Sequence, residues 1–322
     1  MITSTERVKK AIKGESVDRT PIYGWVSANL SEQINAAFGS VAAFEDKYCF
    51  DAAHIFGGPG AFNGVEMQKV RDAGIELTPD IMLDIPLLSA NNSESYVNIS
   101  SGIAHHKERG RFCYVQTPGF FETYNGAFGI ENQLCYLALY KDELAELYKR
   151  QAKWNAEFAV NCIDLGADLI HISDDWGAQN TLMFSPALWR EIIMPNMQYV
   201  IDSVKKRNGL VGLHSDGNVI PVIDELCILG LDWFHPWQES AGMPYDVYFE
   251  KCQDKFAILG GICIQTTLGF NNYDRLESEI RRVFNLLKNK RWILCTTHFV
   301  QNHCTIDELV FAYDLIYKLA RT

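Results

Sequence analysis

Short apolar runs ending in polar residues or glycine recur along this chain, with longer amphipathic stretches between them. Eight can be marked: 22–24, 51–56 (DAAHIF), 112–115, 167–172 (ADLIHI), 209–213, 231–234, 256–259 and 292–295. The closest starts lie about 22 residues apart, room for one strand and one crossover helix. Runs this apolar suit strands covered on both faces, and helical connections imply parallel pairing. The rhythm predicts an α/β fold, a single (β/α)8 TIM barrel over residues 1–322 with no linker or break in composition. Residues 57–111 interrupt it with turn formers and the alternation Tyr96-Val97-Asn98-Ile99. They are expected to form an insertion between strands 2 and 3, a hairpin at the barrel rim.

The helical stretches carry their own boundaries. Thr3-x-x-Glu6 and Thr305-x-x-Glu308 read as capping boxes, and Ser185-Pro186 reads as a cap followed by a first-turn proline. Leu144, Leu147, Tyr148, Gln151, Trp154, Phe158, Cys162 and Leu165 mark one face of a long helix that Gly166 ends.

Chemistry in such a barrel gathers where the strands end. The stretch 209–218 (GLVGLHSDGN) is the most pointed: a buried strand delivers His214 and Asp216 to the same side, two positions apart, just before Gly217. Asp216 or Asn218 equally suits the cap of the next helix. After strand four come Asp174, Asp175, Trp176 and Gly177, where an aspartate can serve as base, cation partner or fourth metal ligand. His235, Trp237 and Gln238 follow strand six, Gly260 and Gly261 end strand seven, and His298 follows strand eight. Glu122 and Tyr124 are further candidates for lining a pocket. His105, His106 and His303 are expected at the surface, and Cys295 in the core.

Charge narrows the partners. A formal net charge of −11 on 322 residues disfavours nucleic acid and anionic membranes and suits small molecules. The nine cysteines are scattered without a CxxC pair, and most, such as Cys113, Cys162, Cys227 and Cys295, sit among apolar neighbours, as reduced core thiols do. The N-terminus is polar and no apolar run reaches the ~20 residues of a membrane span, so a cytoplasmic location is expected.

The combination of 7–21 (RVKKAIKGESVDRTP), 118–122 (PGFFE), 174–177 (DDWG), 209–217 (GLVGLHSDG), Gly260-Gly261-Ile262 and 297–301 (THFVQ) resembles the uroporphyrinogen decarboxylase superfamily. The resemblance spans nearly the whole chain. It implies a TIM barrel, in many members a homodimer, and one of two activities: decarboxylation of uroporphyrinogen, or metal-assisted methyl transfer involving a corrinoid. The decarboxylase branch implies an arginine-rich segment after the first strand and Ser-Asp after the second. Here 21–40 holds no Lys or Arg, and Gly57-Gly58 stands in place of Ser-Asp.

The segments expected at the strand ends (57–66, 118–140, 174–189, 215–225, 235–250, 260–274 and 296–317) likewise lack Lys and Arg. Only Lys69, Arg71, Lys107, Arg109 and Arg111 of the insertion are left to meet a polycarboxylate. The methyltransferase branch implies a His-x-Cys pair and a later Cys around zinc. His214, Asp216 and His298 occupy those positions, all acceptable zinc ligands though less thiophilic ones.

The expected activity is therefore a methyltransferase that moves a methyl group between a corrinoid and a small molecule, the corrinoid carried by a separate protein. Asp174, Asp175 and His235 would be the catalytic residues. Trp176, Glu122, Tyr124, Trp237, Gln238, Gly260 and Gly261 would contact substrate, with the two tryptophans offering cation–π faces. The alternatives are a decarboxylase and a barrel that binds without chemistry.

Overall fold

The computed structural model describes residues 2–322. Seven strands alternate with helices and are ordered as they occur in the chain: β1 (Ala52–Ile55), β2 (Phe112–Pro118), β3 (Leu169–Ser173), β4 (Leu210–His214), β5 (Trp233–His235), β6 (Ala257–Ile262) and β7 (Trp292–Thr296). Each matches one of the expected runs within a few residues. The backbone gathers into two compact units. One holds the chain through Ala53, His106–Cys113 and Gly230–Thr322; the other holds His54–His105 and Tyr114–Leu229. Among the described residues no helix is long and apolar enough to cross a membrane.

In the second unit β2, β3 and β4 pair in parallel, with Gln116 opposite His171 and Ser173 opposite His214. All five residues of β3 are buried, as a parallel strand covered on both faces requires. The long expected helix is Lys141–Asp164, which buries Leu144, Leu147, Tyr148, Gln151, Phe158 and Cys162. Ser185 caps the helical segment from Pro186 by accepting the Leu188 N–H.

The insertion departs from its sequence reading. No hairpin forms: 57–111 carries the helices Gly64–Asp72, Pro79–Asp84 and Val97–Lys107. The alternation at Tyr96–Ile99 is only the entry to the last of these, which buries Ile99 and Ile103 one helical turn apart.

In the first unit β5, β6 and β7 are parallel. The expected first strand at 22–24 shrinks to an isolated bridge between Ile22 and Leu294. Its backbone still bonds as a strand residue would. The Tyr23 N–H reaches the Leu294 carbonyl, and the Ile22 carbonyl accepts the Asp51 N–H. Pro21, with no N–H to donate, stops the ladder from lengthening. Thr3 and Glu6 form the reciprocal capping box. Thr305 caps its helix, while the Glu308 carboxylate turns instead to the N–H groups of Gly269 and Phe270.

Candidate metal centre

Three loops of the second unit leave the ends of β2, β3 and β4 and are held together where side chains are missing. A β-carbon on Gly119 would sit 2.3 Å from the Asp174 Cβ. One on Gly177 would sit 2.3 Å from the Asp216 carbonyl, and one on Gly217 2.4 Å from the Gly177 carbonyl carbon. Gly217 also adopts a φ of +77°, which a side chain would strain. The crossing is sewn by the Asn218 N–H on the Ala178 carbonyl and the Asp174 N–H on the His214 carbonyl.

This packing gathers four carboxylates from three segments that lie far apart in the sequence. Asp174 is fully buried and anchored. Its Oδ1 accepts the Glu122 N–H at 2.8 Å and its Oδ2 the Trp176 indole N–H at 2.7 Å. The helix Phe121–Phe128 has no side-chain cap of its own, so Asp174 serves its N-terminus from another loop. Burial pushes the Asp174 carboxyl up to about 6, against the pull of the backbone N–H groups of Glu122, Phe120 and Phe121 and the Trp176 indole.

The other three carboxylates face one another. Asp175 Oδ1 accepts the Asp216 N–H at 2.8 Å and lies 3.6 Å from His214 Nε2. Burial, then Asp175 and Glu122, push Asp216 up to about 8. Glu122 is solvent-exposed, and accepts the Ser173 hydroxyl at 3.1 Å. Lost hydration, then Asp175 and Asp174, raise it to about 7, with the Ser173 hydroxyl opposing. Carboxylates that hold each other's protons in this way are ready to exchange them for a cation.

Asp175, His214 and Asp216 bring one ligand atom each to within 4.8 Å of one another. An imidazole nitrogen and two carboxylate oxygens form a donor set that suits zinc and other divalent ions. The residues therefore fit a metal.

The other expected site residues fall as follows. Trp176 is fully buried and packs edge-on to Trp189, so its ring offers no face to a ligand. Tyr124 is buried, its hydroxyl on the Leu147 carbonyl. His235, Trp237, Gln238, Gly260, Gly261 and His298 all belong to the first unit. There His235 stacks on Trp25 with ring centroids 4.6 Å apart and its Nε2 lies 3.0 Å from the Thr296 carbonyl. His298 packs against Trp25 and Phe299. Gly260 accepts the Trp292 indole N–H, and Gly261 takes a φ of +118°. Cys295 is core, as expected.

Four cations of the insertion are committed elsewhere. Lys69 pairs with Glu66, Arg71 donates to the Ala127 carbonyl, and Arg109 and Arg111 bind Asp46, the latter also Glu45. Sequence reasoning missed His171. Its ring lies 6.1 Å from that of His214 and beside Tyr114 and His54. The signal was present: an imidazole in the apolar run ADLIHI, two residues before Ser173 and so on the same strand face.

A family model described as uroporphyrinogen decarboxylase (URO-D) matches residues 125–318, more than half of the chain. Among solved structures, a methyltransferase from Methanosarcina mazei is 16% identical. The alignment covers 98% of this chain and 100% of that one, with a TM-score of 0.71. A B12-independent methionine synthase from Shewanella sp. W3-18-1 is 13% identical over 69% of this chain and 67% of that one, with a TM-score of 0.47. No curated protein matches the chain by sequence.

Proposed function

The chain belongs to the uroporphyrinogen decarboxylase family, and from that premise we propose that it is a metal-assisted methyltransferase rather than a decarboxylase. The methyl group passes between a corrinoid, carried by a separate protein, and a small neutral or cationic molecule. One observation carries the reading: Glu122, Asp175 and Asp216 meet on loops after β2, β3 and β4 that contain neither Lys nor Arg. A polycarboxylate substrate would meet like charge there, whereas a cation is matched.

Asp175, His214 and Asp216 are the ligands. A divalent cation held by them supplies Lewis acidity toward an acceptor nucleophile or a methyl donor. The remaining roles belong to side chains. Asp174 fixes the start of the helix Phe121–Phe128 and thereby the position of Glu122. Glu122, pushed up to about 7 by lost hydration, Asp175 and Asp174, takes up or releases a proton at its Oε atoms near neutral pH, as a general acid–base group must. Ser173 steadies it through Oε2.

Protein purified without chelator, or reloaded with zinc, is expected to hold about one divalent ion per chain, released by acid. It is expected to demethylate methylcobalamin when supplied with a suitable acceptor. No uptake of any divalent ion removes the metal reading. Appreciable coproporphyrinogen from uroporphyrinogen removes the methyltransferase reading in favour of the decarboxylase. If His298→Ala abolishes metal uptake as fully as Asp175→Ala does, His298 must be added to the ligands.

A further inference from the structure

The first unit contains a cavity of its own, of about 300 Å³, walled by the segments after β5 and β6 and by the helix Tyr273–Leu287. The helix brings Glu279 and Arg282 to that wall, and the segment after β5 brings Glu239 and Tyr245. Arg282 pairs with both carboxylates. It is the one cation among the described residues that line the cavity. Two carboxylates against one guanidinium leave the wall net negative.

Tyr245 is a second and independent observation. Its side chain is 4% exposed and stacks on Phe249 at a ring-centroid distance of 6.3 Å. Its hydroxyl makes no hydrogen bond within the protein, yet it is not sealed in the interior. The opening it faces is the cavity that the residue lines. Burial, then Glu239, hold its proton on; Arg282 pulls the other way, and Glu279 and Cys263 add to the hold. All four of those neighbours line the same cavity. The phenol therefore stays neutral and offers a lone pair as well as a hydrogen. Groups so enclosed are ordinarily partnered in native proteins.

The two observations narrow what can fill the space. An anion meets like charge. A neutral alcohol can partner the phenol but leaves the excess charge unanswered. An ammonium group does both, donating to the phenol oxygen and to a carboxylate while balancing the wall.

We propose that this cavity binds a small primary ammonium ion. Its short alkyl part fills the space beside Trp237 and Gly261. Binding here does not depend on the metal reading, because every residue invoked belongs to the first unit and the metal ligands to the second.

Cys263 is a half-buried free thiol in the same wall, 3.6 Å from the Ser240 hydroxyl, and reports occupancy. The experiment follows its alkylation by iodoacetamide in the intact protein, read by peptide mass spectrometry. Cys135, exposed and in the other unit, is the internal control for reagent. At constant ionic strength, propylammonium at about 50 mM is expected to slow Cys263 labelling roughly threefold, as a Kd of about 25 mM gives. 1-Propanol and propionate, of matching size, are expected to leave it unchanged.

Tyr245→Phe removes only a hydroxyl that bonds to nothing in the protein, so it is expected to fold normally and lose the protection. Glu239→Gln, at an exposed position, removes the excess charge and is expected to weaken protection by propylammonium, should Tyr245→Phe fold poorly. No protection by propylammonium, equal protection by 1-propanol or propionate, or full protection kept in either variant overturns the proposal.

Discussion

Asp51 and Asp216 are both withdrawn from water, and the contrast between them separates architecture from chemistry. Asp51 is fully buried but surrounded by its opposites: Arg7 at 2.7 Å, Arg19 at 2.6 and 2.9 Å, and the Ile22 N–H at 2.8 Å. Every lone pair has a donor, and the group ties the N-terminal helix and the 19–22 segment to the start of β1. Asp216 has carboxylates for company, and its proton is held up to about 8. A buried charge answered by arginine is finished; one answered by other acids awaits something positive.

The comparison can be broken from either side. The largest effect is expected at the satisfied site. Arg7→Met removes one of the four donors to Asp51 together with the Arg7–Asp18 pair, and is expected to cost about 3 kcal/mol of stability in urea unfolding, whether or not metal is present. If the loss is small, Asp51 is less dependent on its cations than the geometry implies. Next comes Asp175→Asn, expected to reduce metal affinity at least ~100-fold in a chelator competition while leaving the metal-free protein folded.

The third test runs opposite to ordinary expectation, since Asp216→Asn should stabilise the metal-free protein. The folded-state value, about 8, lies above the unfolded one near 4. The folded state therefore binds the proton more tightly. This group penalises folding little below pH 4, and the penalty grows as pH rises from about 4 to 8. The variant is expected to gain roughly 2 kcal/mol at pH 8 and nothing at pH 4. A flat difference across that range would show that Asp216 is not the carboxylate holding the proton. The smallest effect belongs to Ser173→Ala. Loss of its hydroxyl should raise the Glu122 titration by less than about one pH unit, visible as a shifted activity limb near neutrality.

What the sequence made legible follows from how local each cause is. The run 209–213 marks β4, and the side-by-side placement of His214 and Asp216 follows from strand period alone. Asp175 was equally visible as a residue, but not as the partner of His214. That proximity depends on Gly177 passing over Gly217, a crossing between segments forty residues apart. Glu122 shows the same limit, because its raised value comes from lost hydration in the folded chain and then from Asp175 and Asp174 on another loop.

The insertion was misread for a local reason: four alternating residues fit a strand until Ile99 and Ile103 are counted together. Trp176 and Tyr124 were expected to face a ligand because aromatic residues at strand ends so often do. Here each has a polar handle occupied by the protein, on Asp174 and on the Leu147 carbonyl, and a ring fully enclosed.

The glycine crossing also sets how the proposed metal site would acquire an ion. With the two ligand-bearing turns in backbone contact, neither can swing out to meet a metal and close behind it. If the proposed ion binds there, the socket exists before its occupant, so loading would be limited by shedding water from the ion and protons from the carboxylates, rather than by any rearrangement of the chain. Uptake should therefore be steeply dependent on acidity and nearly silent in circular dichroism, and an ion too large for the gap has no softer conformation in which to be accommodated.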